Sequence, residues 1–285
     1  MSQTQHHVLN EDVLQLGSKK KHAAFVQAGM YQSIIADPPY FRVLDKEWDN
    51  QWKHEGEYVK WMESWVSAAS HWLKPDGLMF VFGQPGKREH AFLHVMSGLV
   101  NGCGMKFHDL VIWDRVVGYN DRRDSFTPQY EMILVLSNAS RPRKQDPYFD
   151  KDAVRIPYDP KQVAAYMRDK RYKDMEAREQ QLKKGKKATN ILRLRDAGNL
   201  VEIPSLKGAS SEKCGHDAQK PLALIEMLLL ASTRPGDVVL DPFCGVGTVG
   251  VAAKMHGRNS VSLDADPDYA KTAWQRIEAT PEGRL

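Results

Sequence analysis

Cysteine is scarce in this 285-residue chain: Cys103, Cys214 and Cys244 are an odd, scattered three. Such a set builds no disulfide framework and points to a reducing compartment. The one close Cys/His pairing, Cys214-Gly215-His216, has no second pair to complete a ligand set, so no metal is expected. No run of about 18 apolar residues occurs, so no membrane span is expected either. The opening MSQTQHHVLNEDV lacks the basic-then-apolar order of a secretory signal. No internal repeat is present. What is left is an ordinary globular composition, long enough for one large domain or for one domain with a smaller insertion.

Charge is modest in sum and uneven along the chain. The formal net charge is +4, yet residues 139–213 hold 19 Lys and Arg against 11 Asp and Glu, which leaves the remainder net acidic. Part of that segment, KQVAAYMRDKRYKDMEAREQQLKKGKK (161–187), interleaves acids with bases as a solvated helical face does. The acid-free cluster Lys183, Lys184, Lys186 and Lys187, followed by Arg193 and Arg195, fits that description less well and favours a polyanionic partner.

Hydrophobic periodicity orders the rest. HHVL (6–9), SIIAD (33–37), LMFVFG (78–83), FHDLVIWDR (107–115), YEMILVLSN (130–138), DVVLD (237–241) and NSVSLD (259–264) read as strands. Helices are expected over 23–30, 58–73, 87–99, 160–184, 220–232, 247–257 and 267–277. KPDG (74–77) reads as a breaker, and 41–57 as a long polar loop whose Trp48 and Trp52 are packing residues. Strands alternating with helices predict a mostly parallel α/β sheet, with the basic segment inserted into its connectivity.

Two strand ends stand out. IIADPPYF (34–41) runs a buried strand into Asp37, Pro38, Pro39 and Tyr40. Prolines stop a ladder, so this tetrapeptide sits just past the strand edge, where α/β folds hold ligands. VVLDPFCGVGTVG (238–250) ends a second strand at Asp241 and turns through Gly245 and Gly247 into a helix, baring backbone to a ligand at the helix N-terminus. Thr248 is expected to cap that helix, and Cys244 to be a small buried thiol. The spacing Gly245-x-Gly247-x-x-Gly250 matches a dinucleotide fingerprint, and Asp264 ends the next strand where it could accept ribose hydroxyls. This half is therefore expected to bind an adenosine-bearing cofactor, with NAD still open.

Taken together, ADPPY and DPFCGVGT resemble the two signature motifs of S-adenosylmethionine-dependent DNA amino methyltransferases. Their order, with DPPY first, the basic segment between and the glycine turn last, resembles the circularly permuted β class, which includes the cell-cycle-regulated adenine methyltransferases and many restriction-modification enzymes. The likeness covers nearly all of the chain outside about 139–198, through LNEDVLQL (9–16), LKPDGLMFVFG, HDLVIWDR, FTPQYEMILVLS, LVEIP (200–204) and the block from His216 to Asp264. It departs at His216-Asp217-Ala218-Gln219-Lys220-Pro221, where the family usually has His-Pro-Thr-Gln-Lys-Pro, and at Asp264, where Glu is common.

The resemblance implies a Rossmann-like methyltransferase fold: a mostly parallel seven-stranded sheet, helices on both faces, circularly permuted. Residues 1–138 would be its catalytic half, 139–213 a target-recognition insertion and 214–285 its cofactor half. It implies S-adenosylmethionine as cofactor, double-stranded DNA as partner, and the cytoplasm of a bacterial or phage-infected cell, near the nucleoid, as setting. It leaves room for a homodimer and a cognate restriction enzyme and calls for no metal or membrane. The residues carried over are Asp37, Pro38, Pro39 and Tyr40 for catalysis. For the cofactor they are Asp12 near the adenine edge, Asp37, His216 and Lys220 at the carboxylate end, Pro221, Asp241, Pro242, Phe243, Gly245, Gly247, Thr248, and Asp264 on the ribose. Arg122, Arg123 and Arg141, read as flanking a strand edge near the cleft, join Lys183, Lys184, Lys186, Lys187, Arg193 and Arg195 as DNA contacts.

The chemistry follows from the residue types. The amine of adenine is a poor nucleophile because its lone pair is conjugated into the ring. Asp37 and the Pro38 carbonyl can accept hydrogen bonds from that amine and localise the lone pair, while the prolines hold the carbonyl in place. Tyr40 offers a face on which a flipped-out base can stack. Asp at the head of the motif favours adenine N6, since cytosine-N4 enzymes of the class more often carry Ser. Cytosine N4 is the alternative within the class, and an NAD-binding oxidoreductase or a non-catalytic DNA-binding relative are more distant ones.

Overall fold

The computed structural model describes residues 3–84, 91–118, 126–157, 161, 194–195, 198–208, 210–216 and 218–283. In chain order the elements are β1 His6–Asn10, α1 Val13–Leu16, β2 Tyr31–Ala36, α2 Glu55–Ser70, β3 Leu73–Gly83, α3 Ala91–Asn101, β4 Met105–Asp114, β5 Tyr130–Asn138, β6 Ile156–Pro157, β7 Leu194–Arg195, β8 Leu200–Glu202, α4 Leu222–Ser232, β9 Val238–Asp241, α5 Thr248–Met255, β10 Asn259–Asp264 and α6 Pro267–Ala279. They fall into two compact units, Met1–Phe149 with Asn199–Leu285, and Asp150–Gly198. No described helix is long and apolar enough to cross a membrane.

The first unit is built on one sheet in the order β1-β10-β9-β2-β3-β5-β4-β8. The strands from β1 to β3 in that order run parallel, and β5 runs against both β3 and β4. Seven of these strands are those the sequence predicts. The eighth, β8, comes from LVEIP and pairs in parallel with β4, Ile112 opposite Leu200. Strands β2 and β9 come from opposite ends of the chain yet lie side by side, Ser33 opposite Val239 and Ile34 opposite Leu240. From β2 the chain winds through α2 to β3 on one side, and from β9 through α5 to β10 on the other. The crevice over the carboxyl ends of β2 and β9 is thus the switch point where such sheets hold ligands.

Strand periodicity sorts the side chains onto two apolar layers. Ile34, Ala36, Met79 and Val81 join Tyr58, Met62, Trp65, Val66 and Ala69 of α2 in one cluster. Ile35, Leu78, Phe80, Phe82 and Val239 join Leu224, Ile225, Leu228 and Leu229 of α4 and Val249, Ala252 and Ala253 of α5 in the other. The α2 residues recur at helical spacing, which is why this stretch is a helix.

Three local expectations change. Over 23–30 the chain makes a 3-10 segment, Lys20–Phe25, and not an α-helix; Met30 N–H closes a turn on Gln27 O (3.3 Å) with Gly29 at φ 65°, which leads straight into β2. KPDG does not break the chain between elements but bulges within β3, where the pairing jumps from Tyr31–Leu73 to Ser33–Leu78. Helix α2 starts earlier, at Glu55, so the polar loop is shorter than 41–57.

The second unit is narrower than 139–213. Ala139 N–H donates to Gly104 O (2.9 Å), Tyr148 N–H donates to Asp76 O (2.8 Å), and β8 joins the large sheet, which keeps both flanks in the first unit. Within the second unit Ile156 pairs antiparallel with Arg195 and Pro157 with Leu194. The helix expected over 160–184 lies outside the described residues.

Trp65 is fully buried and meets Phe243 edge-on at 5.2 Å, tying α2 to the strand end of β9. Trp65→Ala is expected to cost about 3–5 kcal/mol of stability, read as a lower urea midpoint with an unchanged m-value.

Candidate active site

A cleft of about 1260 Å³ opens over the carboxyl ends of the strands. It is lined by Asp12, Asp37, Pro38, Pro39, Tyr40, Lys220, Phe243 and Asp264, and by Trp48 and Tyr269. A smaller pocket shares Asp37, Lys220 and Phe243 with it and adds Asp241, Gly245 and Thr248. The two halves read from opposite ends of the sequence therefore meet in one place.

Asp37 follows the last residue of β2 and is doubly engaged. Its Oδ2 accepts from Lys220 Nζ at 2.6 Å and its Oδ1 from the Tyr40 hydroxyl at 2.9 Å. Burial lifts the Asp37 carboxyl above its ordinary pKa; Lys220 opposes that and Glu131 adds to it. Lys220, 7 % exposed, also faces Glu131 Oε2 at 3.6 Å. Burial works against its charge, but Asp37 and Glu131 outweigh burial and hold its pKa above the usual lysine value. Lys220 and Asp37, both expected near the amino-acid end of a cofactor, are brought together here as an ion pair.

Tyr40 is nearly buried, with Lys220 Nζ 5.3 Å from its ring centroid. Its hydroxyl lies 2.9 Å from Asp37 Oδ1 and 2.9 Å from Glu131 Oε2. Burial, then the two carboxylates, push the phenol well above its ordinary pKa, so it stays protonated. Sequence reasoning missed Glu131. It also missed Arg115 and Gln84, which donate to Glu131 Oε1 at 3.1 and 3.0 Å. All three sit at strand ends over the same edge: Gln84 after β3, Arg115 after β4 and Glu131 at the start of the reversed β5. The signal was a single acid in YEMILVLSN, a strand buried from Glu131 to Asn138. An acid there is costly unless it is paired.

The glycine turn is built as a cradle. Gly245 has φ 48° and Gly247 φ 79°. A Cβ on Gly247 would lie 2.8 Å from Ala273 Cβ, and one on Gly245 3.4 Å from His216 Nε2. Gly247, not Thr248, is the N-cap of α5; Thr248 is its first helical residue, because only glycine takes the left-handed cap conformation cheaply. Asp264 ends β10 and accepts from Gly245 N–H (2.8 Å) and Asp266 N–H (2.9 Å), while burial raises its pKa to about 6. Asp241 is buried, which raises its carboxyl well above the ordinary range, and it accepts from Phe243 N–H at 3.3 Å. Asp12 caps α1 through Leu14 N–H (2.7 Å), Pro221 caps α4 without a side-chain bond, and Pro242 lies in the turn after β9.

His216 sits between Trp48 (6.2 Å, rings 19° apart) and Tyr269 (4.6 Å, edge-on). Trp48 thus reaches the cleft, whereas Trp52 packs on Tyr58 and Trp61 at 4.8 Å each. The loop is held by Asp49, whose Oδ2 accepts from Val43 N–H (2.9 Å) and Leu44 N–H (2.6 Å).

Arg141 does not join the site. Because β5 runs against β3, its carboxyl end lies at the sheet edge opposite Asp37, and Arg141 there donates to Gln145 O and faces Asp146 at 3.8 Å. Arg122, Arg123, Lys183, Lys184, Lys186, Lys187 and Arg193 lie outside the described residues, and Arg195 stands in the small ladder of the second unit. Among the described residues no group of three or more His, Cys, Asp or Glu is arranged to hold a metal ion.

Residues 31–275 match the family model of N6/N4 DNA methylases. The chain is 25% identical over 250 residues to the Type II methyltransferase M.HpaI of Haemophilus parainfluenzae, covering 88% of this chain and 69% of that one. It is 27% identical over 247 residues to the Type II methyltransferase M1.MboII of Moraxella bovis, covering 85% and 87%. Its fold is similar to that of the cytosine-N4-specific PvuII DNA methyltransferase (TM-score 0.65, 18% identity, 96% of this chain and 89% of that one). It is also similar to that of M1.HpyAVI in complex with SAM (TM-score 0.58, 19% identity, 96% and 98%). With its two motif halves joined in one cleft and the family model spanning most of its length, the chain belongs to the N6/N4 DNA methylase family.

Proposed function

We propose that the protein is a site-specific DNA methyltransferase of the Type II kind that methylates the N6 amine of adenine flipped out of double-stranded DNA. The observation that carries this reading is the Asp37 carboxylate, which follows β2 inside the cleft beside the glycine turn of the other half. A carboxylate there accepts hydrogen bonds from an exocyclic amine and localises its lone pair.

S-adenosylmethionine is the methyl donor, carrying the methyl group on a sulfonium whose sulfur is a good leaving group. The residues suit such a molecule: a cradle with no room for side chains at Gly247, Asp264 and Asp12 as acceptors, and the apolar walls of Trp48 and Phe243. We assign Asp264 to the ribose hydroxyls and Asp12 to the adenine edge. Burial of the Asp37 carboxyl makes it a stronger acceptor, and Pro38 and Pro39 fix the backbone beside it. Trp48 stands where the loop can shield the cleft from water. The basic residues Lys183, Lys184, Lys186 and Lys187, with Arg122, Arg123, Arg193 and Arg195, are assigned to the DNA phosphates.

Asp37→Ala is expected to abolish transfer of tritiated methyl groups to DNA; full activity would overturn the assignment. Mass spectrometry of the product nucleosides decides the base: N6-methyladenine is expected, and N4-methylcytosine would replace the adenine reading with the other reaction of the family. Neutralising Lys183, Lys184, Lys186 and Lys187 together is expected to weaken DNA binding and to reduce its log–log salt slope by about 3 to 4. An unchanged slope would make the cluster a solvated face.

A further inference from the structure

Asp37 has a difficulty as an acceptor for an amine: two donors already occupy it. Lys220 Nζ sits 2.6 Å from one oxygen and the Tyr40 hydroxyl 2.9 Å from the other. Both donors also face a second carboxylate, and the same atom of it. Glu131 Oε2 lies 2.9 Å from the Tyr40 hydroxyl and 3.6 Å from Lys220 Nζ. The tyrosine carries one hydrogen for two acceptors, so it can serve only one of them at a time.

We propose that Glu131 is a positioning residue for Asp37: it takes over the Tyr40 hydroxyl, and with it the Lys220 ammonium, when the target amine claims the Asp37 oxygens. The inference rests on the methyl-transfer reading and adds a residue to it. Glu131 suits the part because it cannot drift. Its other oxygen is held by Arg115 (3.1 Å) and Gln84 (3.0 Å), and the residue is 4 % exposed. The exchange needs no side chain to cross the site, only rotation of one hydroxyl and a small movement of one ammonium. It also leaves the charge of the cluster unchanged, with Asp37 and Glu131 facing Lys220 and Arg115 throughout. The other ionisable groups near Asp37 are Asp49, Tyr58 and Asp241, and none of them reaches the two donors at hydrogen-bond distance among the bonds described.

The test is a pair of substitutions whose effects on Asp37 have opposite signs. Glu131→Gln keeps the shape and removes the competing anion, so Tyr40 and Lys220 settle on Asp37 and its pKa falls. Tyr40→Phe removes one donor, so the Asp37 pKa rises. Carbon-13 NMR titration of the Asp37 carboxyl, in protein loaded with S-adenosylhomocysteine, reads both shifts without any turnover. In single-turnover methylation Glu131→Gln is expected to lower the rate about tenfold, to move the acid limb of the pH–rate profile to lower pH, and to leave the KM for DNA unchanged. Glu131→Asp, which keeps the charge, should restore the limb. An Asp37 titration that does not move in Glu131→Gln, or a lowered rate with an unmoved acid limb, would reduce Glu131 to a structural residue and overturn the proposal. Wild-type protein that transfers no methyl group would instead count against the functional reading, while the NMR shifts would still decide the role of Glu131.

Discussion

The interaction on which the rest depends is the buried ion pair between Lys220 and Asp37. It joins residues from the two ends of the chain across the switch point of the sheet, at 2.6 Å, with the ammonium almost fully removed from water. A lone ammonium there would be intolerable, and breaking such a pair by removing one partner costs about 3–5 kcal/mol. Glu131 and Arg115 complete the arrangement, so two anions face two cations in a space closed by Tyr40 and Phe82. The DPPY segment is thereby fixed from the side: Asp37 points where Lys220 and Tyr40 hold it, and the prolines need only fix the backbone behind it.

The polar loop that follows is ordered by contacts of its own. Residues after Tyr40 have few apolar anchors, yet Asp49 gathers Val43 and Leu44 through their backbone N–H groups. Trp52 inserts between Tyr58 and Trp61 on α2. That leaves Trp48 projecting to His216, and through it to the glycine turn. A loop held at its base by a carboxylate and at its end by aromatic packing keeps one side chain over the cleft.

What could be read beforehand follows from what each feature needs. Strands β2, β5 and β9 are legible from the apolar runs IIA, MILVL and VVL, β10 from the alternation of Val261 and Leu263 with Ser260 and Ser262, and DPPY and the glycine turn because proline and glycine restrict the backbone in ways composition reveals. The adjacency of β2 and β9 could not be read from local periodicity, since nothing within either strand names its neighbour. The bulge at Lys74–Gly77 reads as a break in the sequence because Pro and Gly mark both. Arg141 was misplaced because the reversal of β5 is a tertiary fact: the strand looks the same in either direction, and its far end falls at the opposite edge. Glu131 was visible as an anomaly, a single acid in an apolar strand, but its partners Gln84, Arg115 and Tyr40 come from three other segments.

Burial at the switch point sets the electrostatics of both halves of the site in the same direction. Asp37, Asp241 and Asp264 are all lifted, in each case with burial as the largest cause. Their differences come from their partners. Asp264 has two backbone donors and rises only to about 6, so it is ionised at neutral pH and able to accept hydroxyl donors. Asp241 accepts one long contact from Phe243 N–H among the described residues, and burial lifts it well above the ordinary carboxylate range. Asp37 has a cation, whose pull runs against the burial that strengthens it as an acceptor. Burial, the largest of the three influences, outweighs that cation, and the second anion at Glu131 adds to it.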